Sequence, residues 1–179
     1  MTSSSDAPVD ILPYDAAWPT RFDEERDVLA SALSEWLAGP IEHMGSTAVP
    51  GLAAKPVIDI LAPVRTLEAS RPALPVAARH GYCYAPYEAA LRHWFCKPSF
   101  MLRTFHLHLV PIGSAQWMRP LAFRDYLRAH PDAAAEYEVV KRHLAEAHRH
   151  DREAYTQAKH PFIDRITALA LGTEVAGGT

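Results

Sequence analysis

Fifteen prolines divide this 179-residue chain into short segments and limit the helices and strands that it can form. The first long segment without an internal proline runs from Trp18-Pro19 to Gly39-Pro40. Its apolar side chains recur at helical spacing with acidic residues between them, so the segment predicts an amphipathic helix that Gly39-Pro40 ends. The apolar stripe consists of Phe22, Leu29, Leu33, Trp36 and Leu37.

The middle of the chain alternates short apolar runs with turns, which predicts a small β-sheet. Residues 66–80 have a helical composition, but Pro72 and Pro75 predict a short or broken helix there. Pro63 is expected to end the second strand. The predicted strands lie at residues 40–44, 56–62, 81–86, 93–97 and 103–110.

The chain beyond residue 116 predicts helices. One is expected to end near His130, the next begins at Pro131, and the last contains residues 162–171, with Pro161 interrupting or offsetting it. The order of helix, small sheet and helical C-terminal half predicts an α+β fold, in which a mixed sheet is flanked by helices.

A single domain is predicted at residues 11–171, because no repeat, linker or change of composition divides the chain. Residues 1–10 are rich in serine, and residues 172–179 end in Ala-Gly-Gly-Thr. Both ends are therefore predicted to be disordered tails.

Composition excludes several classes of protein. The net charge of −3 and the pI near 6.3 provide no basic field for nonspecific nucleic-acid binding. No apolar run approaches the roughly 20 residues of a membrane span. Two cysteines cannot build a disulfide scaffold, so Cys83 and Cys96 are predicted to be reduced thiols of a cytoplasmic protein.

The turn after the first predicted strand contains Gly45, Ser46 and Thr47. Glycine allows a positive φ and a close approach of another group to the backbone. Consecutive amide groups and hydroxyls in such a turn can bind an anion. The alternative is a structural turn whose hydroxyls only cap nearby amides.

Asp59 lies in the middle of an otherwise apolar strand, between Ile58 and Ile60. Because side chains alternate along a strand, Asp59 shares a face with Val57 and Leu61. A carboxylate there is costly to bury unless it is paired, hydrogen-bonded or bound to a metal. A functional carboxylate and a structural one that accepts from backbone amides both remain open.

The last predicted strand places Thr104, His106 and His108 on one face. Two imidazoles about 7 Å apart can line a cleft or bind one metal ion, although histidines also occur on solvated sheet faces. Four basic residues are candidates for a cationic rim that binds phosphate or carboxylate: Lys55, Arg92, Lys97 and Arg103.

Four separated motifs resemble the GrpB family and together extend over roughly residues 10 to 171. They are "IEHMGSTAVPGLAAKPVIDI", "RTFHLHLV", "FRDYLRAHP" and "AKHPFIDRI". GrpB proteins resemble the nucleotidyltransferase superfamily, in which Gly-Ser is followed about a dozen residues later by Asp-apolar-Asp/Glu. Here Gly45-Ser46 is followed, after twelve residues, by Asp59-Ile60-Leu61.

The resemblance implies a role for each matching residue. Gly45 and Ser46 would open a loop that holds nucleotide phosphates, and Asp59 would bind Mg²⁺. Leu61 stands where the superfamily has its second carboxylate, and the His106/His108 strand occupies the place of the third. Mg²⁺ or Mn²⁺ is thus the expected ion, and Zn²⁺ is the alternative because imidazoles suit it better.

Three functions follow from the resemblance. One is metal-dependent transfer of a nucleotidyl or phosphoryl group from a nucleoside triphosphate to a small acceptor, with Asp59, His106 and His108 as catalytic or metal-binding residues. Another is nucleotide binding without turnover, which Leu61 favours. A third is an accessory domain with a protein partner, since GrpB domains also occur fused to dephospho-coenzyme A kinase. Glu42, His43 and Glu88 are further candidates for missing metal ligands.

Overall fold

The computed structural model describes residues 8–173, which form six α-helices and five β-strands. The helices are α1 Trp18–Ala32, α2 Ala73–Arg79, α3 Ala115–Ala129, α4 Pro131–Ala147, α5 Arg152–Ala158 and α6 His160–Leu171. The strands are β1 Glu42–Met44, β2 Ile58–Val64, β3 Cys83–Ala85, β4 His93–Pro98 and β5 Arg103–Pro111. A 3₁₀ turn at Ser46–Ala48 follows β1.

The five strands form one mixed sheet in the order β1-β2-β5-β4-β3. β2 and β5 are parallel, and the other neighbouring pairs are antiparallel. In the parallel pair, Asp59 lies opposite His106 and Leu61 lies opposite His108. Residues that lie opposite each other project from the same face of a sheet, so this register brings the candidate side chains together.

The two faces of the sheet carry different kinds of side chain. One face carries apolar side chains, including Ile58, Ile60, Leu107 and Leu109, which pack with α1 and α2 in the largest core cluster. The opposite face carries Asp59 and the two histidines. A small apolar cluster covers part of that face, where Leu61 and Met44 meet Trp117 and Leu121 of α3.

The C-terminal helices fasten the segment between β1 and β2. Val49 and Leu52 pack with Phe123, Tyr137 and Ile166 in a second core cluster. The peptide groups of Ala53 are also held by α4, because its N–H donates to Glu138 Oε2 at 3.1 Å and its carbonyl accepts from Lys141 Nζ. These contacts fix the part of the segment that follows the candidate phosphate turn.

Two element boundaries differ from the sequence prediction. α1 ends at Ala32 and not at Gly39, and Leu37 forms an isolated bridge with Val64. β2 continues through Pro63, whose carbonyl accepts from the Ala38 N–H at 2.9 Å. The N–H and C=O of one residue point to the same side of a strand, and the Pro63 carbonyl points toward Ala38, beyond the end of β1. The N–H that proline lacks would lie on that side too, so the pairing of β2 with β5 is unaffected.

The C-terminal half contains one helix more than predicted. α5 is a separate element that begins where the Asp151 side chain accepts from the Ala154 N–H at 2.9 Å. Pro161 then lies in the first turn of α6, a position that tolerates the missing N–H. No helix within residues 8–173 has the length and apolarity needed to cross a membrane.

The folded region begins before residue 11. Val9 is buried beside Ala145 and Tyr155, and its N–H donates to the Arg149 carbonyl at 2.8 Å. The remaining predicted tails, residues 1–7 and 174–179, lie outside the described residues.

His43 of β1 faces the main core and is held neutral there. Its ring stacks on Phe22 with centroids 4.6 Å apart, and its Nε2 lies 2.9 Å from Thr47 Oγ1. Thr47 donates its hydroxyl to the Val57 carbonyl, so it accepts the proton of His43 Nε2. Burial lowers the pKa of His43 to about 4.

We expect His43→Gln to weaken the loss of stability on acidification. The unfolded chain takes up this proton near pH 6.5, whereas the folded protein does so only near its lowered pKa of about 4. Between these two pH values the unfolded chain binds the proton and the folded protein does not. Each fall of one pH unit therefore lowers the free energy of unfolding by up to ~1.4 kcal/mol through this group. Urea titrations of both proteins at about pH 7, 6 and 5 measure the slope.

The control is His143→Gln, on the exposed side of α4. It should keep the wild-type slope. An unchanged slope for His43→Gln would contradict this account, because it would mean that His43 takes up its proton at the same pH in the folded and the unfolded protein.

Candidate metal and phosphate site

Asp59 and His106 form a hydrogen-bonded pair across the parallel strands. His106 Nδ1 lies 2.9 Å from Asp59 Oδ1. Burial opposes ionisation of Asp59, but the hydrogen bond from His106, followed by the electrostatic effects of His106, His108 and Lys55, outweighs it and lowers its pKa to about 2. Asp59 is thus a carboxylate at neutral pH, and His106 donates its Nδ1 proton to it. In this tautomer the lone pair of the His106 ring lies on Nε2.

His108 lies beside this pair, and Arg92 fixes its tautomer. The rings of His106 and His108 have centroids 6.4 Å apart. Arg92 Nη1 lies 3.2 Å from His108 Nδ1 and can only donate, so neutral His108 carries its proton on Nε2. Burial, and then Arg92, lower the pKa of His108 to about 3, so the ring is neutral at physiological pH.

We call Asp59, His106 and His108 the Asp-His cluster. Their potential ligand atoms lie within 4.8 Å of one another, and no other group of three such side chains occurs within residues 8–173. The Nε2 atoms of both histidines are buried without a hydrogen-bond partner in this part of the chain. The Asp59 side chain is 29% exposed, so a ligand can reach the cluster from solvent.

The donors of the cluster fit one divalent transition ion. A carboxylate that orients a histidine whose other nitrogen is free is a common arrangement around bound metals. Two imidazoles and one carboxylate suit Mn²⁺ or Zn²⁺ better than Mg²⁺, which prefers oxygen ligands. Leu61 packs against Met44 and Val110 and offers no ligand, so the residues present do not form a two-carboxylate site.

Gly45 makes room for the Asp59 carboxylate. Its φ is +75°, and a Cβ atom at this position would lie 2.5 Å from Asp59 Oδ2. Any other residue would be strained and would also displace the carboxylate. The glycine predicted from the turn is therefore required at this point.

The two hydroxyls of the turn have different environments. Ser46 is half-buried and hydrogen-bonds with Tyr137 of α4. Thr47 is buried, donates to the Val57 carbonyl and accepts from His43, which lies opposite Ile60 of β2. The Thr47 hydroxyl therefore has a structural role, and phosphate binding through the Thr47 backbone amide stays a prediction.

The structure divides the predicted cationic rim. Arg92 contacts His108, and Lys55 lies near enough for its charge to lower the pKa of Asp59. Arg103 lies one ring farther away: its guanidinium is 5.4 Å from the Trp94 centroid, which is 5.2 Å from that of His106.

Lys97 does not belong to this site, and its predicted role is corrected. It lies opposite Phe105, which alternates with His106, so it projects from the other face of the sheet. There its Nζ pairs with Glu25 of α1 at 2.8 Å. The ion pair with Glu25 therefore holds Lys97 on the face of the sheet that lies opposite the Asp-His cluster.

The additional metal ligands considered from the sequence also have other partners. Glu42 pairs with Arg124 at 2.7 Å, and Glu88 pairs with Arg92 at 2.5 Å. His43 faces the main core. These three residues do not complete the Asp-His cluster.

Two lysines near the site were missed by the sequence analysis. Lys141 of α4 and Lys159, between α5 and α6, lie on elements far along the chain. Burial lowers the pKa of each to about 7, with Lys55 adding to the effect at Lys159. Only the tertiary fold brings Lys159 near enough to Asp59 for their charges to interact, and brings Lys141 near Lys159. No local motif marks either lysine.

We expect Gly45→Ala to weaken Mn²⁺ binding by about 10- to 100-fold, the range typical when the orientation of metal ligands is disturbed. The new methyl group would push the Asp59 carboxylate away from its position beside His106. Calorimetric titration with Mn²⁺ measures the change.

Gly113→Ala is the matched control. Gly113 has φ of +74°, but no atom lies within 4 Å of the position of an added Cβ. Both variants introduce backbone strain, and only the first disturbs Asp59. Equal Mn²⁺ affinities for the two variants would contradict the role assigned to Gly45.

Comparisons with known proteins agree with this architecture. The family model described as GrpB protein matches residues 8–169. UPF0157 protein PA4798 of Pseudomonas aeruginosa is 40% identical over 174 residues, which cover 95% of this chain and 71% of that protein. A crystal structure of conserved protein GrpB from Enterococcus faecalis has a TM-score of 0.82 at 36% identity, covering 91% of this chain and 98% of that one.

A more distant structural match shows the fold class. The structure of the GLD-2/RNP-8 complex has a TM-score of 0.55 at 15% identity, covering 92% of this chain and 64% of that chain. It contains a nucleotidyltransferase-type protein, so the α+β, nucleotidyltransferase-like fold is confirmed. With a family match over most of its length, this chain belongs to the GrpB family.

Proposed function

We propose that this protein binds a nucleotide or another phosphorylated small molecule together with one divalent cation at the Asp-His cluster. The observation that carries the proposal is the convergence of Asp59, His106 and His108, with two buried imidazole nitrogens that have no partner within residues 8–173. A single ion held there would supply positive charge for a phosphate.

The basic residues around the cluster support phosphate as the ligand. Arg92 presents a guanidinium beside His108, and Lys55 places a second positive charge near Asp59. The hydroxyl of Ser46 lies in the adjacent turn. Guanidinium groups form strong paired hydrogen bonds with phosphate oxygens, so Arg92 is the residue best suited to hold one.

The contact between Arg92 and His108 couples metal binding to phosphate binding. While Arg92 donates to Nδ1, the proton of neutral His108 stays on Nε2. A metal ligand needs a lone pair at that atom, so His108 can take this role only when Arg92 turns to another acceptor. A phosphate is such an acceptor, and its arrival therefore frees His108 to change tautomer.

The proposal predicts that Mn²⁺ and ADP strengthen each other's binding, because linkage between two sites is reciprocal. Asp59→Asn and His106→Gln should each weaken Mn²⁺ binding by about tenfold or more. In Arg92→Gln, Mn²⁺ alone should bind at least as well as in the wild type, and the mutual effect should disappear. Calorimetric titrations with each ligand alone and with both present measure these terms.

His143→Gln serves as the control for the loss of an imidazole, since His143 is exposed on α4. It should behave as the wild type does. ADP binding that is unchanged by EDTA and by Asp59→Asn would overturn the metal-dependent proposal and leave a metal-independent binding module.

Transfer of a nucleotidyl or phosphoryl group to a small acceptor is a second candidate function. The position of His106 favours it, because Asp59 holds the ring and its Nε2 lone pair has no partner within the described chain. This arrangement suits a general base as well as a metal ligand. Incubation with Mn-ATP and a panel of small metabolites tests it, and nucleotide consumption that Asp59→Asn does not reduce would exclude this site.

A further inference from the structure

The only two cysteines of this chain lie directly opposite each other in the sheet. Cys83 of β3 pairs in register with Cys96 of the antiparallel strand β4, and both are free thiols in this structure. Residues that face each other across antiparallel strands have Cα atoms about 4.5 or 5.5 Å apart. A disulfide bond spans Cα distances of about 4.4–6.8 Å, so the register places these two thiols within its range.

The two thiols differ in their access to solvent. Cys96 is fully buried, whereas Cys83 is half-buried and its S–H donates to the Pro98 carbonyl at 3.5 Å. The Cys83 thiol is also close enough to contribute to the raised pKa of Cys96, whose main cause is burial. A reagent from solvent therefore reaches Cys83 first, and Cys96 can react only with a neighbour inside the protein.

The cysteine pair lies on the face of the sheet that carries the Asp-His cluster. Cys96 is opposite His106 in the register of β4 with β5, and His106 is opposite Asp59 in the register of β5 with β2. β3 is an edge strand of three residues. Few hydrogen bonds hold so short an edge strand, so a covalent bond to β4 would fix it to the sheet.

A bond between the two thiols would close a loop that contains Arg92. Residues 86–92 connect β3 to β4, and within them Glu88 and Arg92 form an ion pair. Arg92 also contacts His108 of the Asp-His cluster. Closing the loop restricts the unfolded chain and limits local opening of the edge strand. The oxidation state of the thiols is thereby coupled to the backbone that positions Arg92.

We propose that Cys83 and Cys96 form a reversible disulfide that locks β3 and the connection at residues 86–92 onto the sheet. The oxidant is a small organic disulfide, such as oxidised glutathione. Neither a metal nor a phosphate takes part, so the disulfide is independent of the ligand proposed for the Asp-His cluster.

The reaction is an exchange of thiols and disulfides in two steps. The Cys83 thiolate attacks one sulfur of the oxidant, and the other sulfur leaves as a thiolate, so that a mixed disulfide remains on Cys83. The Cys96 thiolate then attacks the sulfur of Cys83 and releases the second small thiolate. In total, two protein thiols lose two electrons and two protons, and one small disulfide is reduced to two thiols.

Incubation of the full chain with oxidised glutathione, followed by mass spectrometry of the intact protein, tests the bond. The wild type should lose the mass of two hydrogen atoms, and dithiothreitol should restore it. Cys96→Ser should stop at one glutathione bound to Cys83. The matched variant Cys83→Ser should gain no glutathione while it is folded, because Cys96 is fully buried.

Three results would overturn the proposed bond. They are no reaction of the wild type, a wild type that keeps glutathione on Cys83, and a disulfide that joins two copies of the chain. Glutathione on folded Cys83→Ser would contradict the order of the two steps.

Thermal unfolding of the oxidised and the reduced protein measures the lock. The oxidised wild type should unfold about 5–10 °C above the reduced form, as expected when a loop of about 14 residues is closed. Hydrogen exchange at residues 83–92 should slow on oxidation. Cys83→Ser is the control and should unfold at the same temperature with and without oxidised glutathione. Equal unfolding temperatures and equal exchange for the two forms of the wild type would contradict the lock.

Discussion

The hydrogen bond from His106 to Asp59 is the interaction on which the site depends. A carboxylate in the middle of an apolar strand is destabilising unless a partner compensates its partial loss of hydration. The parallel register of β2 and β5 supplies that partner directly opposite. The hydrogen bond keeps Asp59 ionised and directs the free nitrogen of His106 away from the carboxylate. The position of the carboxylate in turn requires glycine at position 45, where a Cβ atom would clash with it.

The fold tolerates this polar site because most of the core lies on the other side of the sheet. The main cluster buries Ile58, Ile60, Leu107 and Leu109 against α1 and α2. On the site face, α3 packs against Leu61 and Val110, beside the polar cluster. Stability and ligand access are thus assigned to opposite faces of the same strands, and a substitution at the Asp-His cluster need not disturb the main core.

Strand alternation predicted much of this arrangement. It placed His106 and His108 on one face, and it identified Asp59 as a carboxylate that needs a partner. Alternation in β4 would also have separated Lys97 from Cys96, the residue opposite His106, but the sequence analysis grouped basic residues by proximity along the chain. The turn alone also could not show the partner of the Thr47 hydroxyl, because the Val57 carbonyl lies ten residues away.

Other features depend on tertiary contacts that no local pattern contains. The register that joins Asp59 to His106 links residues 47 positions apart. Lys159 reaches the site through the packing of α4, α5 and α6. The sequence around it predicts only a helix boundary at Pro161. The end of α1 at Ala32 follows from the return of the chain to Val64, where Leu37 forms a bridge. Long-range pairing therefore determined what the sequence could not show.

Anomalous X-ray diffraction from crystals of this protein grown with Mn²⁺ and ADP tests the central claim most directly. The account predicts a manganese peak between the Asp59 carboxylate and the imidazoles of His106 and His108, with a phosphate group of ADP beside Arg92. A fully bound diphosphate with no manganese at these three side chains, or manganese bound only elsewhere on the protein, would contradict it.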